Sequence, residues 1–156
     1  MMGTTEKIHQ FFDRFGWEYE FEEETTTWYT AFRAKTSNFP IFVYLTDHFL
    51  VFTISPMVNA PEEETCRQNL HTHLLRLNYI VRMAKFSLDE EDNVELSVEI
   101  PLEGLEFEAF SDALNAISHT ADMFHLEILN ISQDPEYDPK SIEVWVAGAA
   151  DLGQAN

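Results

Sequence analysis

The sequence predicts an α+β fold that runs helix, antiparallel β-meander, helix, β-hairpin, helix. Apolar residues recur at helical spacing near the start, in the middle and towards the end of the chain. Between those stretches apolar and polar residues alternate with period two, and Gly or Pro punctuates the changeovers. At 156 residues and 45% hydrophobic, the chain is no disordered acidic tail. It suits one domain that buries roughly two-thirds of its unfolded surface.

The first helix follows a Thr4 or Thr5 cap. Ile8, Phe11, Phe12 and Phe15 fall at i, i+3, i+4 and i+7, which is one helical face, and Gly16 stops it. From Trp17 to Glu22 aromatic and acidic residues alternate, as on a strand with one wet face. A second strand spans Trp28–Ala34, with Trp28, Thr30 and Phe32 on one side. Asn38 to Pro40 reads as a break. Ile41–Leu45 and Phe49–Ile54 are apolar on both faces, the mark of central strands, and Thr46-Asp47-His48 turns between them. Strands so close in sequence are expected to pair with their neighbours.

Pro56 and Pro61 flank the next break, and Glu62, Glu63 and Glu64 open the second helix, where negative charge suits the positive end of the helix dipole. Cys66, Leu70, Leu74, Leu77, Val81 and Ala84 form one stripe, and Leu75, Tyr79, Ile80 and Met83 lie on another side. A helix apolar around so much of its circumference either lies deep in the core or faces something outside the domain. Ala84, Phe86 and Leu88 then alternate, Asp89–Asn93 makes an acidic turn, and Val94, Leu96, Val98 and Ile100 alternate back, with Pro101 ending the ladder. In the longest helix Phe107, Phe110, Leu114, Ile117, Ala121, Phe124, Ile128 and Ile131 keep a 3–4 spacing, with Leu126 and Leu129 off the stripe. Sparse charged flanks favour a core helix lying along a sheet over a lone coiled coil. After Asp134–Pro139, Ile142–Val146 alternates like an extra edge strand, and Ala147–Asn156 is a small-residue tail expected to be loose. Residues 1–133 are expected to form the domain and 134–156 a partly flexible extension.

The net charge of −19 repels phosphate backbones and anionic membrane surfaces, which argues against nucleic-acid and membrane partners. It favours basic partners, through steering that salt weakens. The sequence holds no apolar run long enough to span a membrane, and the composition of Met1–Gln10 leads to the expectation of no secretory signal. With its single cysteine, Cys66, it is expected in a reducing cytoplasm.

No catalytic constellation emerges. Cys66 and His73 are two helical turns apart, roughly 10 Å of rise, and Glu62–Glu64 would raise the thiol pKa. His71 and His73 point to different sides of a helix, as do His119 and His125, so neither pair makes a metal helix. Asp89–Asp92 lacks the glycine of a calcium loop, since Val94 stands sixth from Asp89. No glycine-rich phosphate loop or Gly-x-Ser-x-Gly elbow is present. The expectation is a non-enzymatic protein with no cofactor and no metal.

In the middle and last third the sequence resembles a known group. Leu74-Leu75-Arg76-Leu77-Asn78 ends a helix. Lys85-Phe86-Ser87-Leu88-Asp89, Val94-Glu95-Leu96 and Ile100-Pro101-Leu102-Glu103-Gly104-Leu105 follow, and then Phe110, Ala113-Leu114, Ile117 and Ala121-Asp122. These are similar to segments of class I type III secretion chaperones and of the related YbjN-type sensory-transduction regulators. The resemblance covers about half the chain and rests on turn and core residues, so it bears on fold more than on function. Asn78 and Phe86-x-Leu88-Asp89 carry over as structural positions only. The chain departs from the pattern in the strand Trp28–Ala34 and in the extension Asp134–Asn156, which could cover a groove.

The resemblance implies a type III secretion chaperone-like fold and a homodimer that holds an extended or amphipathic segment of a client protein. The 13 Phe, 5 Tyr and 3 Trp exceed what one such domain easily hides, so some apolar surface is expected to meet another polypeptide. Leu75, Tyr79, Ile80 and Met83 are the expected dimer contacts. Phe11, Phe12, Phe15 and Trp17 are the expected client contacts. The alternative is a ligand-sensing or regulatory domain of YbjN type, with a small apolar pocket between the sheet and the last helix.

Overall fold

Gly16 takes a left-handed backbone, φ 90°, and its N–H closes the first helix onto the Phe12 carbonyl at 2.9 Å. That helix, α1 (Thr4–Phe15), is capped by Gly3 and not by the expected Thr4 or Thr5, which lie in its first turn. In this computed structural model, residues 2–35 and 37–146 are described. Among the described residues nine elements precede residue 134. After α1 come β1 (Glu20–Glu22), β2 (Thr27–Arg33), β3 (Asn38–Leu45), β4 (Phe49–Val58), α2 (Glu64–Ile80), β5 (Lys85–Leu88), β6 (Val94–Pro101) and α3 (Phe107–Gln133). The expected α+β order of helix, meander, helix, hairpin and helix is the order found.

The strands form one antiparallel sheet in the order β1-β2-β3-β4-β6-β5. The meander lies at one side, and the β5–β6 hairpin adds to β4 through β6, with Phe52 opposite Val98. Two expected breaks are strand instead. Asn38–Pro40 belongs to β3, and Pro40 sits where β3 pairs β2 alone, an edge-like position that tolerates a missing N–H. Pro56 lies inside β4, where the register with β6 shifts between Ile54 and Val58.

One layer of helices covers one sheet face. Trp28, Ile41, Val43, Leu50, Phe52, Ile54, Leu96 and Val98 point into it and meet Phe110, Leu114, Ile117, Ala121 and Phe124 of α3. The regular stripe on α3 is therefore a core stripe, and its helix lies across β4 and β6. Phe11, Phe12 and Phe15 of α1 converge on Phe110, with ring centroids 5.5, 5.0 and 6.4 Å away. Phe11 and Phe12 are buried, so they are interior packing residues of this subunit and not client-facing ones.

α2 lays Cys66, Leu70, Leu74 and Leu77 against α3 and β5. Asn78 at its end fixes β5. Its side chain accepts from the Phe86 N–H at 2.8 Å and donates to the Phe86 carbonyl at 2.9 Å. Asp89 organises the hairpin turn by accepting from the Glu91 and Asn93 N–H groups and from the Asn93 side chain. These bonds, the Asn93 side chain first, hold its carboxyl below the usual range. The acidic turn thus spends its carboxylate on its own backbone.

Beyond α3 the chain doubles back. Residues 142–146, expected as an edge strand, are one short helical turn, and Tyr137, Ile142 and Trp145 pack against the core. Alternation over so few residues fits either form, and packing of Trp145 on Phe124 decides it. The expected loose tail Ala147–Asn156 lies outside the described residues.

Candidate binding surfaces

Two surfaces remain where the fold leaves apolar groups uncovered. The first is the outer edge of the sheet. β1 is short, and its ladder with β2 runs from Glu22 opposite Thr27 to Glu20 opposite Tyr29. Beyond Tyr29 no described strand flanks β2 on that side, so Thr30–Arg33 form an open edge. The chain from α1 to β1 passes beside this edge, tied by the Thr30 hydroxyl donating to the Glu18 carbonyl at 2.8 Å. Trp17 stacks on Phe32 with centroids 6.0 Å apart and planes 14° from parallel, and meets Phe15 edge-on at 5.1 Å. The result is an open depression of about 1200 Å³ with Trp17, Tyr19, Tyr29 and Phe32 in its lining and Asp13, Glu18 and Glu20 around it. Of the four expected client contacts, Phe15 and Trp17 border this edge half-buried, whereas Phe11 and Phe12 lie beneath it in the core.

The second surface is the end of α2 and the groove beside it. Tyr79 is 88% exposed, Leu75 73% and Met83 51%. Ile80 is half-buried and packs on the core. Met83 lies past the end of α2, in the link to β5, with φ 65°. Tyr79, Ile80 and Met83 line a groove of about 990 Å³ whose far wall is Ala116, Met123 and Phe124 of α3. Arg82, Asp112, Asn115 and His119 supply its polar groups.

A buried polar cluster lies beneath the same region. Glu127 and His73 are 5% and 4% exposed and face each other at 3.2 Å. The Glu127 carboxylate also accepts from the Trp145 indole N–H and the Lys140 N–H, each at 2.8 Å. Burial pulls the His73 pKa down, opposed by Glu127, so the ring is held towards its neutral form. His125, buried against Phe39, is lowered by burial as well. The sequence reading missed Glu127 and Trp145. The available signal was an acidic residue on the apolar stripe of α3, three positions after Phe124 and four before Ile131.

Cys66 is buried, and its thiol is raised by burial and by Glu63 and Asp134. Among the described residues no group of three or more His, Cys, Asp or Glu could hold a metal, and no helix is long and apolar enough to cross a membrane.

The profile of the YbjN family, described as "Putative bacterial sensory transduction regulator", matches residues 4–130. The chain belongs to the YbjN family. This YbjN-family chain shares its fold with YbjN from E. coli, described as a putative transcription regulator, at 15% identity and a TM-score of 0.60, over 81% of this chain and 94% of that one. It is also similar to a chain of the ExsC–ExsE complex, at 18% identity and TM-score 0.55, over 82% and 98%. A third likeness is to the Yersinia pestis type III secretion chaperone SycH in complex with a fragment of YscM2, at 14% identity and TM-score 0.52, over 76% and 97%. No curated protein sequence matches the chain. The chaperone-like α+β fold is thus common to the YbjN protein and to the type III secretion chaperones.

Proposed function

We propose that this YbjN-family protein is a non-enzymatic, chaperone-like binding module that holds an extended segment of a partner protein. The observation that carries this is the open β2 edge. A peptide laid along Ala31–Arg33, past the point where Glu18 already meets Thr30, would gain main-chain hydrogen bonds from the strand and apolar contacts from Trp17 and Phe32. Asp13, Glu18 and Glu20 outnumber the one basic residue of the lining, Arg33, and favour a client with basic flanks, in keeping with the net charge of −19. Support comes from fold relatives solved with protein partners, among them SycH with its YscM2 fragment. The test is a peptide array probed with the purified chain. Selection of extended, basic-flanked apolar peptides, lost in Phe32→Asp and weakened by salt, supports the reading. Equal capture of the same peptides by Phe32→Asp overturns it.

We also propose that the protein is a homodimer joined through the outward face of α2 and the link that follows it, with Leu75, Tyr79 and Met83 at the contact and Ile80 supporting them. Large apolar side chains side by side on one face are what a subunit contact covers. A cytoplasmic location suits such a module with its one free cysteine.

A second reading has its own observation. The α2–α3 groove combines an apolar floor with Asn115, His119 and Arg82, and the family description is a sensory one. The side chains between sheet and α3, where the sequence reading put a ligand pocket, are buried against each other, so the ligand site would be this groove. A thermal-shift screen separates the two readings. Stabilisation by a small metabolite favours sensing, and stabilisation by peptides alone favours the chaperone.

A further inference from the structure

The indole N–H of Trp28 donates to Nδ1 of His9 at 2.9 Å. Trp28 is fully buried, and this bond satisfies the one polar group of its side chain. The half-buried imidazole lies among the rings that hold the edge of the sheet. It stacks on Tyr19 at 5.4 Å with planes 12° apart and meets Phe21 of β1 edge-on at 4.8 Å. Phe21 in turn lies 4.7 Å from the Trp28 ring, opposite it in the ladder. β1 has only three residues and one flanking strand, so these ring contacts do much to keep it in place. Its other side-chain ties, from the Thr25 and Tyr29 hydroxyls to Glu22, are exposed to solvent. While seated, β1 occupies the β2 edge from Thr27 to Tyr29. Tyr19 also lines the depression beside that edge, so His9 touches the wall of the proposed peptide site.

We propose that His9 is a proton-sensitive pin: its neutral ring holds β1 on the sheet, and its protonation releases β1 and lengthens the open β2 edge from Ala31–Arg33 to Thr27–Arg33. The inference rests on the reading of that edge as a peptide site and adds its regulation. A neutral imidazole can accept at Nδ1, whereas an imidazolium donates at both nitrogens. On protonation two N–H groups would face each other at the His9–Trp28 contact, and the buried indole would lose its acceptor. Withdrawing the imidazole also breaks its contacts with Tyr19 and Phe21, which anchor the edge. From β1 and β2 the ring meets Phe21 and Trp28, which carry no charge. From the link between α1 and β1 it meets the Tyr19 phenol, whose pKa is raised by burial and then by Asp13. On α1 itself Glu6 and Asp13 stand at i−3 and i+4, exposed carboxylates on the same side of the helix that suit a positive ring. Glu20 and Glu22 alternate with Phe21 and face the other side of the sheet.

Nuclear magnetic resonance of the Trp28 indole N–H reads the pin. Fluorescence anisotropy of a labelled peptide, alternating valine and threonine with lysine at each end, reads the edge. Between about pH 8 and pH 5.5, where histidines ordinarily change charge, the indole proton should lose protection from solvent exchange, corrected for intrinsic rates. The amides of β1 should lose protection with it, while those of β4 and β6 keep theirs. Peptide affinity should rise on the order of tenfold, the gain when a competent state goes from about a tenth of the population to nearly all of it. His9→Asn keeps an acceptor close to the Nδ1 position and cannot titrate in this range. It should stay closed at both pH values, and it controls for the general loss of negative charge on acidification. His9→Phe keeps a ring without the acceptor and should be open at pH 8. An indole proton equally protected at both pH values in the wild type, or a His9→Phe protein closed at pH 8, overturns the pin. Loss of protection with no gain in peptide affinity over His9→Asn overturns its control of the edge. The peptide reading has a separate arm. At pH 8 Phe32→Asp should lose the peptide. If it binds as the wild type does, that reading and its regulation fall, whereas the pin is judged by the indole proton alone.

Discussion

Phe12 on α1 and Tyr79 on α2 are aromatic residues near the end of amphipathic helices, yet Phe12 is fully buried and Tyr79 is 88% exposed. The first belongs to a cluster that folds inwards. Phe11, Phe12 and Phe15 converge on Phe110, and Tyr19 meets Phe12 at 4.9 Å. The second stands with Leu75 and Met83 on a face that no described element covers. The difference lies in what passes over each helix. α1 lies between α3 and the chain leading to β1, so its aromatic face has partners on both sides. α2 satisfies its core duty with Cys66, Leu70, Leu74 and Leu77, and its other face is left to the outside. The aromatic face of α1 is thus interior, and the corresponding face of α2 is exposed.

The sharpest way to break that comparison is to cut each aromatic in turn. Phe12→Ala leaves a cavity in a closed cluster and should cost about 3–5 kcal/mol, read as a lower denaturant midpoint at unchanged slope. A loss no larger than a surface substitution gives would mean that the cluster is not closed. Tyr79→Asp should do the reverse. Stability should stay within about 0.5 kcal/mol, while self-association measured by sedimentation weakens roughly thirtyfold or more. Equal association by both proteins would remove α2 as the contact.

Asn78 sharpens the comparison, because it sits one residue from Tyr79 and does an interior job. Asn78→Ala unpairs the Phe86 N–H and carbonyl and should cost about 1 kcal/mol, with faster amide exchange along β5 and no change in association. Unaltered β5 exchange would show that the hairpin is held by other contacts. The smallest expected effect is in pH. Burial lowers the pKa of His73 and of His125, so the unfolded chain takes up protons near the ordinary histidine value while the fold resists them. Stability should therefore be flat above about pH 7 and decline as pH falls below about 6.5. The double variant His73→Gln, His125→Gln should flatten that decline in thermal melts at fixed ionic strength. A slope that persists unchanged would assign it to carboxylates instead.

Element order was legible because it depends on local periodicity. The 3–4 spacing on α3, the alternation along β6 and the stop at Gly16 each record one face of one element. The errors arose where a local signal was ambiguous. Pro40 and Pro56 read as breaks, but strands accommodate them where pairing is one-sided or the register shifts. Residues 142–146 alternate like a strand and are helical, because too few residues are present for periodicity to choose. At the candidate surfaces the expected contact residues divide between exposed and interior positions. Phe11 and Phe12 lie in the core, whereas Tyr29 and Phe32 line the open edge without having been singled out.

The sequence by itself determined the kinds and order of the elements, the acidic surface and the surplus of aromatic residues, since all of these are sums or periods along one chain. Only the tertiary structure decided which apolar face is covered, that β1 stops short of the end of β2, and that Glu127 meets His73, Lys140 and Trp145. Those are meetings between residues far apart in sequence. They depend on how layers stack and where a strand ends, and no local pattern along the chain encodes that.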